Sequence, residues 1–404
     1  MNPARAVAQS GRVLALGARS RRFKSGQPDT DPNARRPRRA FAIYGLLEAR
    51  CPVRQLATIQ VIAAIEPITG ADAIQRARVL GWWVVVKSGE YLPGDPVVYC
   101  EVDSLVPERP EFEFLRKSSY RPAIDNGEGF RRPAGFRIKT IKLRGQVSQG
   151  ICLPLSVLPP GTATEVGTDV KQALGVVKYQ GPPPVGMTGR IKGPFPGFLP
   201  KTDETRVQVL GEVLATHRGK RFAVSEKLDG TSFTAYLRGD DYGICSRNLL
   251  LDETDEGNLL CRLALGLDVR GKLAELQARF GHSVAVQAEV IGPGIQKNKY
   301  LRQTAELRVF SLVNADTGRL IDRDPALTAL DAVGFLRVPD LAPLTLNHTV
   351  DQLVELSVGT SVVNPAAQRE GIVLRPFAEV DEPLIGGRLS FKVLNPQFLL
   401  KYDE

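Results

Sequence analysis

The first patterned part of the chain alternates short apolar runs with turn-forming residues. Residues 56–65 and 81–107 are rich in β-branched and aromatic side chains, and 136–155 adds two more runs separated by Gly145. Several short strands with frequent turn signals, and only one modest helical pattern, are typical of a small β-barrel. We therefore predict a barrel over residues 52–158.

A second patterned part follows a stretch rich in Pro and Gly, residues 159–201, which we interpret as an extended linker. Beyond this linker, residues 221–251 predict strands joined by tight turns. Residues 258–281 are the best helix candidate, and Gly266 and Gly271 are expected to interrupt this helix. Strands and helices therefore mix in the second half of the chain.

The mixture predicts an α+β domain of mixed antiparallel sheets over residues 202–404. Its first element is expected to be a helix within residues 202–210, because Thr202 or Asp203 is suited to the N-cap position.

The net charge of +9 is concentrated at the N-terminus. Residues 1–40 carry ten Lys and Arg residues and only two acidic residues, so the remainder of the chain is nearly neutral. The basic stretch within residues 1–50 has two open interpretations: a mitochondrial-type presequence, or a disordered tail that adds salt-sensitive contacts to nucleic acid. We expect a cytoplasmic protein, or a mitochondrial one if the first interpretation holds.

Several classes of function find no support in the composition. No apolar run is long enough to span a bilayer, so a membrane role is not expected. The five cysteines are scattered without a CxxC pair, and the three histidines include no HExxH motif. We therefore expect neither a zinc site nor a Ser–His–Asp mechanism.

One short motif, EKLDGTSF at residues 226–233, places a lysine beside an Asp-Gly turn. Alone it is weak, because Asp-Gly is among the commonest hairpin turns and Lys227 would then be a surface lysine. Further short segments follow it in order. They are Ser246-Arg247-Asn248, QAEVIGPGIQ (287–296), LRVFSLVN (307–314), EGIVLRP (370–376) and LSFKVLNP (389–396).

This ordered set resembles the nucleotidyltransferase motifs of ATP-dependent ligases and capping enzymes, in the form seen in nick-sealing RNA ligases. The resemblance implies an ATP-grasp-like catalytic domain of antiparallel sheets and helices, with the ATP pocket between two sheets. It also implies that Lys227 attacks the α-phosphate of ATP and carries AMP as a phosphoramidate. Free lysine has a pKa of about 10.4, so nearby positive charge, which Lys392 and a bound metal would supply, and desolvation must favour the neutral amine.

The resemblance assigns one group of residues to the nucleoside. Glu226 is expected to contact the adenine edge, and Phe310 is expected to stack on the base. Arg247 and Glu289 are expected to hold the ribose and orient the reacting ends. Gly230 belongs to the same nucleotide-binding turn.

A second group is assigned to the phosphates and to Mg²⁺ (or Mn²⁺). Lys392 is expected on the α-phosphate, and Glu370 on the metal, because magnesium prefers oxygen ligands and keeps waters. Asp229 is expected to support the turn and the water shell of the metal. One position departs from the pattern: some RNA ligases carry two lysines in the last motif, and here the pair is Ser390 and Lys392.

The order of the domains favours an RNA ligase over a DNA ligase or a capping enzyme. The predicted barrel precedes the catalytic domain, and only nine residues follow Asn395, so no barrel is expected after the last motif. This arrangement resembles the Deinococcus-type RNA ligase, which has an N-terminal OB-like module. The resemblance implies three steps: enzyme adenylylation by ATP, transfer of AMP to a 5′-phosphate, and sealing by a 3′-OH.

RNA or an RNA-containing duplex is the expected partner, in particular a nick with RNA on the 3′-OH side, and the enzyme is expected to be monomeric. Basic side chains along the barrel strands are candidates to follow the phosphates, and a solvated strand face is the other interpretation. These side chains are Arg137, Lys139, Lys142 and Arg144. Two further functions stay open: a ligase for DNA or mixed strands, and a non-catalytic RNA-binding protein that keeps the fold.

Overall fold

The computed structural model describes residues 54–125, 130–181 and 189–403. The basic tail predicted over residues 1–50 lies outside the described residues, as does part of the predicted linker. Among the described residues, no helix is long and apolar enough to cross a membrane.

The N-terminal module consists mainly of short strands joined by turns, because its apolar runs are short and bounded by turn-forming residues. Its strands are β1 (Ala57–Ile68), β2 (Ala71–Val79), β3 (Trp82–Lys87), β4 (Pro96–Cys100), β5 (Ser104–Val106), β6 (Tyr120–Arg121), β7 (Ile124–Asp125), β8 (Arg131–Arg132), β9 (Gly135–Arg137), β10 (Ile141–Leu143), β11 (Gln146–Ser148), β12 (Ile151–Leu153) and β13 (Val177–Lys178). Its helices are α1 (Arg116–Ser119) and α2 (Lys171–Leu174), with 3₁₀ turns at Pro110–Leu115 and Leu155–Val157.

Two larger antiparallel sheets form most of this module, in the orders β12-β4-β1-β2-β3 and β13-β5-β9-β6, and β7-β8 and β10-β11 are separate strand pairs. One apolar cluster draws on strands of both sheets and includes Ile59, Val106 and Phe136. A second cluster, which includes Trp82 and Tyr99, lies under the longer sheet. Burial of these large side chains is what stabilises a small module, at about 25 cal/mol per Å² of apolar surface.

Residues 136–155 contain more strands than the two that the pattern predicts. The structure has β9, β10, β11 and β12 in this stretch. Tight turns divide it, because Arg144 and Gly145 have positive φ angles of 48° and 85°, and Gly150 has a φ of 97°. Glycine tolerates this left-handed backbone, so the residues within each turn are sufficient to determine it.

The second module mixes strands and helices, as predicted. Its strands are β14 (Ile191–Pro194), β15 (Thr205–Arg206), β16 (Arg221–Lys227), β17 (Thr231–Arg238), β18 (Asp241–Cys245), β19 (Leu249–Leu251), β20 (Val284–Ile291), β21 (Glu306–Asn314), β22 (Arg319–Leu320), β23 (Asp340–Thr345), β24 (Gly371–Pro376), β25 (Asp381–Glu382), β26 (Gly387–Arg388) and β27 (Phe391–Leu394). Its helices are α3 (Gly211–Thr216), α4 (Leu259–Gly266), α5 (Val269–Phe280), α6 (Arg323–Ala332), α7 (Val350–Ser357) and α8 (Pro396–Tyr402), with 3₁₀ turns at Val207–Val209 and Gln296–Asn298.

Two large sheets and the two-stranded pair β25-β26 form the second module, and each large sheet has an extensive apolar cluster on one face. The other face of the seven-stranded sheet is apolar in part, at Tyr236, Ala285 and Val313. The seven-stranded sheet has the order β14-β19-β18-β17-β20-β21-β22, and the five-stranded sheet has the order β15-β27-β24-β16-β23. Alternate residues such as Phe233 and Val286 bury one face of the first sheet, and Phe222 and Phe391 bury one face of the second. Residues of both large sheets line one cavity between them. The predicted α+β class of antiparallel sheets after a barrel is confirmed.

The prediction of a helix within residues 202–210 is wrong. Residues Thr205–Arg206 instead form β15, parallel to β27, and the next helix begins at Gly211. Glu204 accounts for the difference, because its carboxylate accepts hydrogen bonds from Arg375 at 2.7 Å and Arg388 at 2.6 Å. These two arginines hold the segment extended at the edge of the sheet.

The helix predicted over residues 258–281 divides into α4 and α5. The side chain of Asn258 caps α4, and the side chain of Asp268, at a φ of 48°, caps α5 by accepting from the N–H of Gly271. The break therefore falls just before α5, and Gly271 lies inside that helix instead of interrupting it.

The two modules are in direct contact through backbone as well as side chains. The N–H of Gly81, in the turn between β2 and β3, donates to the carbonyl of Gln208 at 2.7 Å. A Cβ at Gly81 would lie 2.6 Å from that oxygen. Nearby, Arg78 donates to Asp351 at the start of α7 at 2.7 Å. This close approach is possible only because residue 81 lacks a side chain.

Replacing Gly81 by Ala is expected to destabilise the protein, because the new methyl group overlaps the backbone of Gln208. Overpacking of this kind costs about 1–3 kcal/mol in the free energy of unfolding. Gly211→Ala is the matched control, since Gly211 opens helix α3 and has no atom near its Cβ position. Thermal and denaturant unfolding should show a loss for Gly81→Ala only; an equal effect of both changes would contradict the close-packed junction.

Candidate active site

Lys227 and Glu370 meet at the end of the central strands of the five-stranded sheet. Lys227 is the last residue of β16 and pairs with Gly371 at the start of β24. Its Nζ donates to Glu370 Oε2 at 2.6 Å. A Cβ on Gly371 would lie 2.2 Å from the carbonyl oxygen of Val393, so the strands pack this closely only with glycine at 371.

Two more carboxylates face the same lysine from the turn after β16 and from the opposite sheet. Glu289 on β20 accepts the N–H of Gly230 at 3.0 Å, and a Cβ on Gly230 would lie 2.2 Å from the carbonyl oxygen of Val290. Asp229 forms an ion pair with Lys299, and its N–H donates to the Tyr300 hydroxyl at 2.7 Å. The Lys-x-Asp-Gly turn is therefore locked against β20.

The carboxylates decide the protonation of Lys227. Burial lowers the pKa of Lys227, but Glu370 and Glu289 outweigh burial and raise it above its usual value. Burial, opposed by Lys227 and reinforced by Glu370, raises the pKa of Glu289 to about 8. The carboxylates around the Lys227 amine therefore favour its protonated form.

Lys392 lies on the same face of the sheet, because Val373 pairs with Lys392 and with Ser225, two residues before Lys227. Burial, followed by repulsion from Lys227 and Arg206, lowers the pKa of Lys392 to about 7. The sequence argument expected Lys392 to lower the pKa of Lys227. Here the depressed pKa belongs to Lys392, since Lys227 has the nearer carboxylates.

Glu226 lies on the opposite face of β16 from Lys227 and is 1% exposed. Its Oε2 accepts the N–H of Val362 at 2.8 Å. Burial raises the pKa of Glu226, and hydrogen bonds from Ser361 and Val362 to its carboxylate oppose this rise. The Glu226 carboxylate is thus held by the segment around residue 361.

Phe310 is half-buried on β21, at a register shift where Gln287 pairs with Ser311 and Ala288 with Val309. Such a bulge changes the direction of the extra side chain. A cavity of about 70 Å³ lies between the sheets. Residues from both sheets line it, among them Ala223, Ser225, Phe310, Ser311, Val373 and Arg375.

Arg375 and Glu204 were not singled out from the sequence. Arg375 donates from Nη1 to the carbonyl of Phe310 at 2.7 Å and from Nε to Ser390 Oγ at 3.1 Å. Burial raises the pKa of Glu204, but Arg388 and Arg375 outweigh it and lower the pKa to about 2. Ser390, which departs from the two-lysine pattern of some RNA ligases, is therefore a hydrogen-bond partner of Arg375.

Arg206 is a second residue that the motifs did not indicate. It pairs with Lys392 across the parallel strands β15 and β27, and its side chain is 10% exposed. Its Nη2 donates to Asp103 of the barrel at 3.0 Å. Its Nε and Nη1 are buried without a hydrogen-bond partner among the described residues. The sequence pattern does not indicate Arg206, because its place beside Lys392 depends on strand β15, which is two residues long.

The remaining predicted residues are dispersed. Arg247 is exposed and forms an ion pair with Asp203, at the end of the linker. Arg137 donates to the carbonyl of Asp403 at 3.1 Å, and Lys139 forms an ion pair with its carboxylate. Lys142 and Arg144 are exposed, on β10 and in the turn after it. Two of the four barrel cations are therefore engaged by Asp403 and two are exposed.

The carboxylates suit a divalent cation of magnesium type. Among the described residues, no cluster of three His, Cys, Asp or Glu side chains is arranged to hold a metal. Magnesium keeps most of its waters and needs only one or two carboxylates. Glu370 and Glu289 meet this need, and the raised pKa of Glu289 shows that added positive charge would be favourable there.

Comparisons with known proteins place this arrangement in a family. An OB-fold domain model matches residues 56–155, and an RNA ligase model matches residues 220–394. The search of curated proteins gave no match.

Solved structures of Naegleria gruberi RNA ligase are similar over most of the chain. A complex with pyrophosphate is 34% identical, with 87% of this chain and 99% of that chain covered and a TM-score of 0.77. A variant with ATP and Mn is 33% identical, with 87% and 100% covered and a TM-score of 0.77. A variant with AMP and Mn is 34% identical, with 86% and 98% covered and a TM-score of 0.76.

The predicted enzyme class is thereby confirmed, and a non-catalytic relic finds no support. The family model spans Lys227, Glu289 and Glu370, the residues that the cleft brings together. The chain belongs to the RNA ligase family.

Proposed function

We propose that this RNA ligase uses ATP to form a covalent lysyl–AMP intermediate on Lys227 and then joins a 5′-phosphate to a 3′-OH. The observation that carries the proposal is the contact of Lys227 Nζ with Glu370 at 2.6 Å, inside a cleft that also holds Lys392 and Glu289. The structures of Naegleria gruberi RNA ligase with ATP and Mn, and with AMP and Mn, support it.

The chemistry of the first step follows from these side chains. The Lys227 nitrogen forms a bond to the α-phosphorus, the bond from that phosphorus to the oxygen that bridges the α- and β-phosphates breaks, pyrophosphate leaves with that oxygen, and the amine loses its proton to solvent. Lys392 and Arg206 lie on the same side of the sheet and offset the negative charge of the triphosphate. Phe310, which lines the cavity between the two sheets, covers the adenine base.

Glu370 and Glu289 are the residues that would hold Mg²⁺ or Mn²⁺. When bound, the ion supplies positive charge that offsets these carboxylates and stabilises the α-phosphate oxygens. Without such charge, Glu370 keeps Lys227 protonated. The ion pair with Glu370 thus keeps the Lys227 amine unreactive in the ligand-free enzyme. It must be broken before the amine attacks ATP.

Adenylylation itself is the first test. Purified enzyme mixed with α-labelled ATP and Mg²⁺, then denatured, should retain label on the chain. Lys227→Ala should retain none, because the proposal assigns bond formation to the Lys227 nitrogen and only charge compensation to Lys392. Lys220→Ala, at an exposed lysine seven residues earlier, should label as wild type does. Absence of label on folded wild-type enzyme free of AMP would overturn the proposed function.

Glu370→Gln is expected to make the ligand-free Lys227 amine more reactive. Removal of the negative charge lowers the pKa of Lys227, and each pKa unit gives about tenfold more neutral amine. Acetylation of Lys227 by an activated ester at pH 8, followed by peptide mass spectrometry, should rise several-fold. Glu253→Gln removes the surface pair with Lys192 and is the matched control; unchanged acetylation in Glu370→Gln would contradict the account.

Lys392→Met is expected to stabilise the folded protein more at pH 6 than at pH 9. The folded-state pKa of Lys392, about 7, lies below its unfolded value, so the folded protein binds fewer protons in this window and wild-type stability rises with pH. The variant lacks this dependence, so its gain in melting temperature should shrink as pH rises. Exposed Lys220→Met is the control; a gain that is constant or grows with pH would count against a buried ammonium at 392.

The substrate is proposed to be a nicked duplex with RNA at the 3′-OH side, as in the Deinococcus-type ligases that the domain order resembles. The barrel before the catalytic module supports this subtype. Nicked duplexes that differ only in the sugar of the 3′-OH strand should be sealed at clearly different rates, with RNA preferred. Equal sealing of RNA and DNA 3′-OH ends would favour the mixed-strand alternative.

A further inference from the structure

We propose that Asp103, in the N-terminal barrel, is a positioning residue for adenylylation of Lys227, acting through Arg206. The inference rests on the proposed function. The sequence motifs place all of the reacting groups in the second module. The inference gives the barrel a part in the first chemical step as well.

Asp103 is held in place by its own backbone. It lies between β4 and β5 with a positive φ of 68°. Its N–H donates to the carbonyl of Ile138 at 2.7 Å, and its carbonyl accepts the N–H of Tyr179 at 2.7 Å. Aspartate tolerates this left-handed conformation better than most residues, but it still carries strain that the surrounding contacts must hold.

Three arginines converge on the carboxylate of Asp103. Arg206 of the second module donates to Oδ2 at 3.0 Å, and Arg54 of the barrel donates to the same oxygen at 3.2 Å. Arg137 lies 4.0 Å from Oδ1. Burial raises the pKa of Asp103, but Arg206 and Arg54 outweigh it and lower the pKa. The side chain is thus an ionised counter-ion shared between the modules.

Arg206 depends on this counter-ion for its position. Its guanidinium is also stacked on Trp82 of the barrel at 5.6 Å, and Asp103 is the single carboxylate to which the described structure shows it donating. Neighbouring Arg54 has a second carboxylate, Glu101, at 2.6 Å. Without Asp103, Arg206 would lose the hydrogen bond that holds its guanidinium and would be repelled by Arg54, whose own closest carboxylate is Glu101, so it would leave its place.

The position of Arg206 matters because Arg206 and Lys392 occupy paired positions on β15 and β27. Both side chains point to the face of the sheet that holds Lys227. Asp103 fixes one nitrogen of the guanidinium and leaves Nε and Nη1 without partners. The barrel carboxylate therefore aims a cation of the second module at the cleft, which loosely tethered modules could not do.

A purely structural role is the alternative, since Asp103 also joins the modules. The ion pair of Arg78 with Asp351 provides the comparison, because it crosses the same junction at 2.7 Å. Asp351 has no contact with Arg206 or the cleft in the described structure. Loss of either pair weakens docking, but only loss of Asp103 releases Arg206.

The test is a double-mutant cycle on single-turnover adenylylation with labelled ATP below saturation. Asp103→Asn and Arg206→Gln are each expected to lower the rate about tenfold, and the double variant should match Arg206→Gln within about twofold. Asp351→Asn should stay within about twofold of wild type, and Asp103→Glu should recover part of the loss. Melting temperatures are measured in parallel.

Additive losses in the double variant would overturn the inference, because Asp103 would then act by another route. It would also fail if Asp103→Asn matched wild type, or if Asp351→Asn lost as much activity. Should Asp103→Asn not fold, the double variant removes one charge of each sign and is compared with Arg206→Gln directly. If the wild-type enzyme forms no adenylate, the proposed function itself is contradicted. If the wild-type enzyme is labelled normally and Asp103→Asn is labelled at the same rate, only this inference is contradicted.

Discussion

The structure depends on holding one ammonium group among carboxylates inside a cleft between two sheets. Charged groups taken out of water are tolerated only when paired, and Lys227 has Glu370 at 2.6 Å for this purpose. The two sheets can approach this pair because Gly230 and Gly371 have no side chains, and a Cβ at either position would overlap the backbone of a neighbouring strand. Each sheet has an apolar core behind it, so the cleft faces remain free for polar residues.

Charge is separated along the cleft. Carboxylates surround Lys227, whereas Lys392 and Arg206 lie side by side on β27 and β15, and burial with the repulsion from Lys227 and Arg206 lowers the pKa of Lys392 to about 7. A triphosphate with a divalent ion complements both ends at once, since its phosphates meet the cations and the ion meets the carboxylates. The barrel contributes through Asp103, which holds Arg206. The N-terminal module is thus joined to the electrostatics of the cleft.

The sequence predicted the parts of this account that local patterns encode. Ordered motifs predicted Lys227, Glu289 and Glu370, and turn residues with short apolar runs predicted the barrel and the α+β class. The helix expected at 202–210 failed because Glu204 binds two arginines distant in sequence, Arg375 and Arg388. Arg206 and Asp103 were missed for the same physical reason: their pairing across 103 positions arises from docking of two modules.

Location of the covalent AMP is the most direct test of the central claim. The enzyme would be incubated with ATP and Mg²⁺, digested, and its peptides mapped by mass spectrometry under conditions that preserve a phosphoramidate. AMP on the peptide that contains Lys227, and on that lysine, is the result that the account predicts. AMP attached to another residue, or bound only without a covalent link while ligation proceeds, would contradict it.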